Sequence, residues 1–214
     1  MSSSEATARA GLCRVGASLH ARGYTHGATG NLSVRLEDGF LMTPTGARLD
    51  ELRPERLSRL DVQGRLESGE PPTKEAGLHL AMYRSRPRAQ AVVHLHGTDS
   101  VALSLLPDLD PADALPPYTA YYVMRVGRLK LLPYFPPGDA ALALAVGEAA
   151  QHTHAMLLAH HGPVLAGRSL DAAADAAEEL EQTARIHLRV GGRGCRCLSS
   201  TERAELERRF PHEA

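Results

Sequence analysis

Apolar residues recur at helical spacing along the first part of the chain. Leu12, Val15 and Leu19 fall on one stripe of residues 5–22, and Gly23 follows as a common helix terminator. The stripe predicts an amphipathic helix with one side against the core. Similar spacing predicts helices over residues 73–85, 98–106, 139–151 and 170–190, and Ser199-x-x-Glu202 predicts a capping box that opens a last helix.

Shorter apolar runs between these helices predict strands. Turn sequences at residues 37–39 and at Gln63-Gly64 predict two hairpins, one from runs 31–36 and 40–44 and one from runs 57–61 and 65–67. Further strands are predicted over residues 90–96, 121–124, 129–134 and 155–160, with a Gly162-Pro163 turn after the last. Residues 107–120 are rich in Pro and Asp and predict a surface excursion.

Helices and strands are mixed without a regular βαβ repeat, and no linker or internal repeat divides the chain. A sheet covered by helices on both faces accommodates this order of elements. We therefore predict a single α/β domain over residues 1–214, with an α/β/α layered fold around a central, mainly antiparallel sheet.

The charge balance and the low aromatic content argue against some classes of binding partner. The 24 Lys and Arg residues nearly balance the 25 Asp and Glu residues, so no broad basic field exists to hold nucleic acid or an anionic membrane. Aromatic residues make up only 4% of the chain and Trp is absent, which leaves little material for base-stacking platforms. A small polar substrate suits this composition better than a nucleic acid does.

The N-terminal sequence and the cysteines indicate in which cellular compartment the protein is expected. The first residues lack the positive and continuous apolar regions of a secretion signal, and no apolar run approaches the ~20 residues that a membrane helix requires. We expect a soluble protein of the cytoplasm. Cys195 and Cys197 form one pair in a Gly-Arg-rich stretch, which we expect to be a reduced loop because a single pair supplies neither a disulfide framework nor a zinc site.

Two histidine motifs are candidate metal ligands. His94 and His96 alternate along a predicted strand, so both side chains project from one face of the sheet. A catalytic zinc ion takes three protein ligands and keeps one position open, and a third imidazole from His160 or His161 at the end of another strand would complete that set. A pair of ordinary core or surface histidines is the alternative interpretation of the first motif.

A carboxylate and two polar turns are further candidates. Glu75 lies in the first turn of a predicted helix with Thr73 as N-cap, and it shares a helix face with His79. It either compensates the helix dipole or serves as a general acid/base that also binds the metal ion when no substrate is present. The Gly-rich turns at residues 27–31 and 43–46 offer amides and hydroxyls to an anion, or are ordinary turns.

Taken together, the motifs resemble the class II aldolase/adducin family over nearly the whole chain. The matching segments are Gly-Ala-Thr-Gly-Asn-Leu-Ser-Val-Arg (27–35), Thr-Pro-Thr-Gly (43–46), Thr-Lys-Glu (73–75), Val-Val-His-Leu-His (92–96) and His-His-Gly (160–162). The resemblance implies one zinc ion, or another divalent ion, per subunit on His94, His96 and His161, with Glu75 as acid/base and His160 as a neighbour. It also implies a phosphate cradle formed by Gly30, Asn31, Thr45, Gly46, Thr73 and Lys74.

The resemblance further implies a homotetramer with active sites between subunits, to which a neighbouring Tyr contributes. Tyr121 and Tyr122 are the candidates for that residue. The segment Thr73-Lys74-Glu75 departs from the Ser-Ser-Glu of L-fuculose-phosphate aldolase by placing a cation beside the carboxylate. Together with residues 121–127, it looks most like the branch that decarboxylates 3-oxo-tetronate 4-phosphate to dihydroxyacetone phosphate.

Three alternatives stay open within this resemblance. The same metal site suits an aldolase acting on a ketose 1-phosphate, because loss of carbon dioxide and loss of an aldehyde leave the same enediolate, whose charge a metal can stabilise. A methylthioribulose-phosphate dehydratase is a second, and a non-catalytic adducin-like interaction domain is the third. Lys74 argues against the first two, and the intact set His94, His96, His161 and Glu75 argues against the third.

Overall fold

The structure is a computed structural model that describes residues 3–191 and 193–212. Its helices are α1 (Ser3–Ala21), α2 (Ala76–Ser85), α3 (Thr98–Ser104), α4 (Ala120–Arg125), α5 (Ala140–Ala149), α6 (Leu170–Val190) and α7 (Ser200–Arg209). Its strands are β1 (Asn31–Leu36), β2 (Gly39–Met42), β3 (Ser58–Asp61), β4 (Leu66–Ser68), β5 (Ala91–His94), β6 (Lys130–Leu132), β7 (Ala155–Leu158) and β8 (Gly162–Gly167). The predicted capping box of α7 is confirmed, with Ser199 and Glu202 bonding each other's backbone.

The described strands form one sheet of eight in the order β4-β3-β2-β1-β5-β8-β7-β6. Every neighbouring pair is antiparallel except β6 and β7. The predicted mainly antiparallel sheet is therefore confirmed, as is the α/β class. Both predicted hairpins are present as β1–β2 and β3–β4.

Helices cover both faces of this sheet. In β5, Val92 packs with residues of α2 and α5, whereas Val93 packs on the other face with residues of α1, α3, α4 and α6. Successive residues of a strand point to opposite faces, so a strand buried on both sides must be apolar throughout. The continuous Ala-Val-Val run before His94 follows from this position.

One predicted strand is a helix. Residues 121–124 were expected to be extended, but they lie within α4. The Thr119 hydroxyl accepts a hydrogen bond from the backbone N–H of Tyr122 at 3.0 Å, and this N-cap starts the helix. The β-branched and aromatic residues that indicated a strand instead supply the buried side of α4, through Tyr122 and Val123.

The predicted turn at Gly162-Pro163 is wrong as well, since both residues begin β8. The reversal lies at Ala159 and His160, and His160 adopts a left-handed φ of 59°. Pro163 is tolerated near the start of the strand, where its missing N–H costs little. The backbone of Gly162 passes so close to the carbonyl oxygen of Leu95 that any Cβ would overlap it.

Two boundaries at the site differ from expectation. Strand β5 ends at His94, so His96 lies just beyond the strand on the way to α3. Helix α2 starts at Ala76, so the N-cap is Glu75 rather than Thr73.

Cys195 and Cys197 are exposed and form no disulfide. Within residues 3–191 and 193–212, no helix combines the length and apolar content needed to cross a membrane.

Candidate metal and acid/base site

Three histidines converge at the end of β5. His94 Nε2 lies 3.0 Å from His96 Nε2 and 3.2 Å from His161 Nε2. The centroids of the three rings are mutually 4.8 Å apart, which makes an equilateral triangle. The arrangement is possible because β5 and β8 are paired neighbours, and His161 lies directly before β8.

The hydrogen bond made by His94 Nδ1 shows which ring nitrogen carries the proton. Nδ1 lies 2.9 Å from the backbone carbonyl oxygen of Pro163, which can only accept a hydrogen bond, so Nδ1 carries the proton. The Nε2 lone pair therefore points into the triangle. A hydrogen bond of this kind on the outer nitrogen is the usual way in which a protein orients a metal-binding imidazole.

Glu75 brings a carboxylate to the same point from the N-terminus of α2. Its Oε2 is 3.2 Å from His94 Nε2, and its Oε1 is 3.2 Å from His161 Nε2. The residue is only 7% exposed, and within the described chain Oε1 accepts no hydrogen bond. One ligand atom from each of Glu75, His94, His96 and His161 lies within 4.8 Å of the others.

The protonation states suit a cation. Burial is the main cause that lowers the pKa of His96 to about 3 and that of His161 to about 4, so both rings are neutral at neutral pH. Burial raises the pKa of Glu75, but His94, Asn31 and His161 outweigh it and hold that pKa well below the usual carboxyl range. Neutral imidazoles and an ionised carboxylate are the forms that bind a metal.

The spacing also fits a divalent ion. Zinc-to-nitrogen bonds of about 2.0–2.1 Å in a tetrahedral site place two ligand nitrogens roughly 3.3 Å apart. The distances of 3.0 and 3.2 Å between imidazole nitrogens match that separation. Without a cation or a proton between them, converging lone pairs would repel each other, and the buried Oε1 of Glu75 would lack a partner. The cluster can hold a divalent metal ion.

The residues predicted to form a phosphate cradle lie on adjoining segments. The Thr43 N–H donates to Leu32 O at 3.0 Å and the Thr73 N–H to Thr43 O at 3.1 Å, which holds the three segments that contain these residues side by side. Along these segments, Thr45, Gly46 and Lys74 are exposed, Thr73 is buried, and Gly30 is half-buried. Gly30 has a φ of 79°, and a Cβ there would press on His94 O at 3.1 Å.

Asn31 differs from its predicted role. Its side chain is buried, with Nδ2 donating to Glu75 Oε2 at 2.8 Å and Oδ1 lying 2.5 Å from His79 Nε2. The amide therefore serves the carboxylate. Sequence reasoning placed Glu75 and His79 on one helix face, but it could not show that Asn31 fits between them.

The two candidate tyrosines have opposite environments. Tyr122 is fully buried in the core formed with α6, so its hydroxyl cannot reach another subunit without unpacking α4. Tyr121 is 60% exposed, with the Arg125 guanidinium 5.9 Å from its ring centroid. Of the two candidates, only Tyr121 lies on the surface of this chain.

Comparisons with known proteins show which family this chain resembles. A profile of the class II aldolase and adducin N-terminal domain matches residues 10–188. The 3-oxo-tetronate 4-phosphate decarboxylase of Pectobacterium atrosepticum is 49% identical over 205 residues, which are 95% of this chain and 94% of that protein. The crystal structure of YgbL from Klebsiella pneumoniae has a TM-score of 0.92 at 45% identity, with 94% of this chain and 98% of that chain covered. The L-fuculose phosphate aldolase of Haemophilus influenzae is 35% identical over 171 residues, covering 78% of this chain and 76% of its own.

Proposed function

The chain belongs to the class II aldolase and adducin family, and from this premise we propose that it is a lyase that decarboxylates a 3-oxo-tetronate 4-phosphate to dihydroxyacetone phosphate and carbon dioxide. The proposal is carried by a complete His94, His96, His161 and Glu75 cluster in a chain that is 49% identical to a decarboxylase of that specificity. A non-catalytic, adducin-like role would not require buried ligands of this kind.

We propose that the ion is Zn²⁺, one per chain, held by His94, His96 and His161 with Glu75 alongside. When bound, it supplies a Lewis acid for the negative charge that develops on substrate oxygens. The imidazole-rich donor set favours zinc over magnesium or calcium, which prefer oxygen ligands. The chain's own contribution is to hold three imidazole rings and one carboxylate in fixed orientations.

The proposed reaction breaks the bond between the carboxylate carbon and C2 of the substrate. The electron pair stays on C2 and is delocalised onto the C3 carbonyl oxygen, while carbon dioxide leaves. Addition of one proton to C2 then gives the product. Glu75 Oε1 is buried and accepts no hydrogen bond within residues 3–191 and 193–212, so it is the oxygen that we assign to take that proton from water and pass it to C2.

Lys74 and the neighbouring turns are proposed to bind the anionic ends of the substrate. Lys74 is exposed beside a groove of about 440 Å³, which it lines together with Glu75 and residues of α5. Gly30, Thr45, Gly46 and Thr73 present backbone and hydroxyl groups for the phosphate. Lys74 binds either the phosphate or the carboxylate. We further propose a cytoplasmic homotetramer in which Tyr121 contacts the site of a neighbouring subunit.

An aldolase acting on a ketose 1-phosphate is the second candidate, because a relative at 35% identity has that activity. The experiment that separates the two offers 3-oxo-tetronate 4-phosphate and L-fuculose 1-phosphate side by side to the zinc-loaded enzyme. We expect equimolar carbon dioxide and dihydroxyacetone phosphate from the first and little reaction with the second. Aldehyde release from the second without decarboxylation of the first would establish the aldolase instead.

A further inference from the structure

A buried row of polar side chains runs from Glu75 into the space between α2 and β1. Asn31 Nδ2 is 2.8 Å from Glu75 Oε2, and Asn31 Oδ1 is 2.5 Å from His79 Nε2. Beyond the ring, Ser33 Oγ is 2.7 Å from His79 Nδ1 and 2.9 Å from the Tyr83 hydroxyl. The row links Glu75 to a tyrosine two helical turns away.

Each hydrogen bond in this row has only one workable direction. The ionised Glu75 only accepts, so Asn31 must turn its NH₂ toward Oε2 and its carbonyl oxygen toward His79. That oxygen also only accepts, which places the His79 proton on Nε2 and leaves Nδ1 with a lone pair. Ser33 must then donate to Nδ1, and the Tyr83 hydroxyl donates to Ser33.

The surroundings keep these groups neutral. His79 and Ser33 are fully buried, and Tyr83 is 2% exposed. Burial, followed by the influence of His94, lowers the pKa of His79 to about 3, and burial raises the pKa of Tyr83 above its usual range. A neutral imidazole can act as a donor at one nitrogen and an acceptor at the other, as this row requires.

We propose that His79 is a positioning residue for Glu75, which acts as the neutral Nε2–H tautomer to fix the orientation of the Asn31 amide. The inference rests on the proposed function insofar as Glu75 is the proton-carrying group. With Asn31 held, its NH₂ binds Oε2 and leaves Oε1, 3.2 Å from His161 Nε2, as the oxygen without a hydrogen bond within the described chain. The Ser33 hydroxyl selects the tautomer.

The alternative orientation shows why the tautomer matters. An Asn amide that turns over exchanges its oxygen and nitrogen positions. If the His79 proton moved to Nδ1, the lone pair on Nε2 would attract the Asn31 NH₂, and the Asn31 carbonyl oxygen would face Glu75 Oε2. Two acceptors at 2.8 Å repel, so the carboxylate would leave its position.

Variants along the row separate positioning from bulk stability. In the zinc-loaded enzyme, His79→Leu removes the donor to Asn31, and we expect kcat to fall about 10- to 100-fold with KM and zinc content unchanged. His79→Gln can still donate an N–H to Asn31, so it should recover part of the loss. Ser33→Ala leaves Nδ1 without a donor and should lower kcat while the ring itself stays. His154→Gln is the matched control, because His154 is also buried and donates to a carbonyl, that of Arg125, at the other end of β7.

The decisive readout does not depend on turnover. Protein with ¹⁵N-labelled histidine rings, metal-free and zinc-loaded, is measured by long-range ¹H–¹⁵N correlation, and the His79 ring is identified by its loss in His79→Gln. We expect a protonated Nε2 and a bare Nδ1 in the wild type, and a mixture of tautomers in Ser33→Ala. A proton on Nδ1 in the wild type, or His79→Leu with wild-type kcat, would overturn the inference.

Failure of the proposed role of His79 can be distinguished from failure of the proposed function. If the wild type does not decarboxylate the 3-oxo acid but cleaves the ketose 1-phosphate, the same kcat comparison is made with that substrate. If the wild type turns over neither, the proposed function fails, while the ring signals still decide the tautomer. Should His79→Leu not fold, Ser33→Ala and the wild-type spectrum decide it.

Discussion

The Nδ1–H of His94 donates a hydrogen bond of 2.9 Å to the backbone carbonyl oxygen of Pro163. This bond joins the end of β5 to the start of β8 and sets the His94 lone pair toward His161. Because Pro163 directly follows Gly162, the close approach of the two strands depends on a residue without a side chain. The geometry of the proposed metal site is thus fixed by backbone contacts as much as by its ligands.

Replacing Gly162 tests that dependence. Gly162→Ala adds a Cβ that overlaps the Leu95 carbonyl oxygen at a φ of 144°, so we expect the free energy of unfolding to fall by roughly 2 kcal/mol. We also expect weaker zinc binding, because Leu95 precedes His96. Denaturant titration and competitive zinc binding measure the two effects. Gly11→Ala, in α1 with its nearest atom at 3.7 Å, is the control and should stabilise slightly. Equal behaviour of the two variants would contradict the argument.

Glu75→Gln should separate metal binding from proton transfer. The variant keeps the shape of the side chain and an oxygen that accepts from Asn31, and the three imidazoles remain. We expect zinc content near that of the wild type and a fall in kcat of about 10²- to 10⁴-fold. Metal analysis and steady-state rates measure both. A variant that turns over at the wild-type rate would remove Glu75 from the reaction.

Lys74→Ser tests the basis for substrate choice. If the ammonium binds a substrate anion, its loss should reduce kcat/KM for the 3-oxo acid about 10- to 100-fold. Arg84→Ser is a matched control, because Arg84 is exposed and lines the same groove but lies ten residues further along the chain, near the end of α2. The prediction fails if both variants lose the same fraction of kcat/KM.

Acid should destabilise the protein through its buried histidines. Burial lowers the pKa of His154 to about 4 and that of His79 to about 3, so the unfolded chain binds more protons than the folded chain below about pH 6.5. The free energy of unfolding should therefore be highest above pH 6.5 and fall as the pH is lowered toward 4. Denaturant titrations of the metal-free protein across this range measure the slope. His154→Gln should make the free energy of unfolding depend less steeply on pH. An unchanged slope would contradict the claim that His154 is buried as a neutral ring.

Much of the layout followed from sequence pattern. Period-3.6 and continuous apolar runs located α1, α2, β5 and α6, since these elements bury whole stripes or strands in the core. The apolar run before His94 and His96 indicated candidate ligands, and the family resemblance then selected His161 over His160 and gave Glu75 its role. The structure brings His94, His96, His161 and Glu75 together as their motifs suggested.

Other features depended on tertiary contacts that no local pattern displays. The segment at α4 has strand-forming residues, and the Thr119 cap and packing against α6 make it helical. Strand β8 opens with Gly162-Pro163, which is typical of a turn, and only the pairing with β5 extends it. The resemblance gave Asn31 a phosphate-binding role, and no local pattern shows its contacts with Glu75 and His79, which lie more than 40 residues away in sequence.

Anomalous diffraction at the zinc absorption edge, from crystals of the zinc-loaded protein, would show whether the three histidines bind the ion. We expect one peak per chain inside the triangle of His94, His96 and His161, about 2.0–2.1 Å from each Nε2, with Glu75 next to it. A peak elsewhere, or crystals in which these three rings bind no zinc, would contradict it.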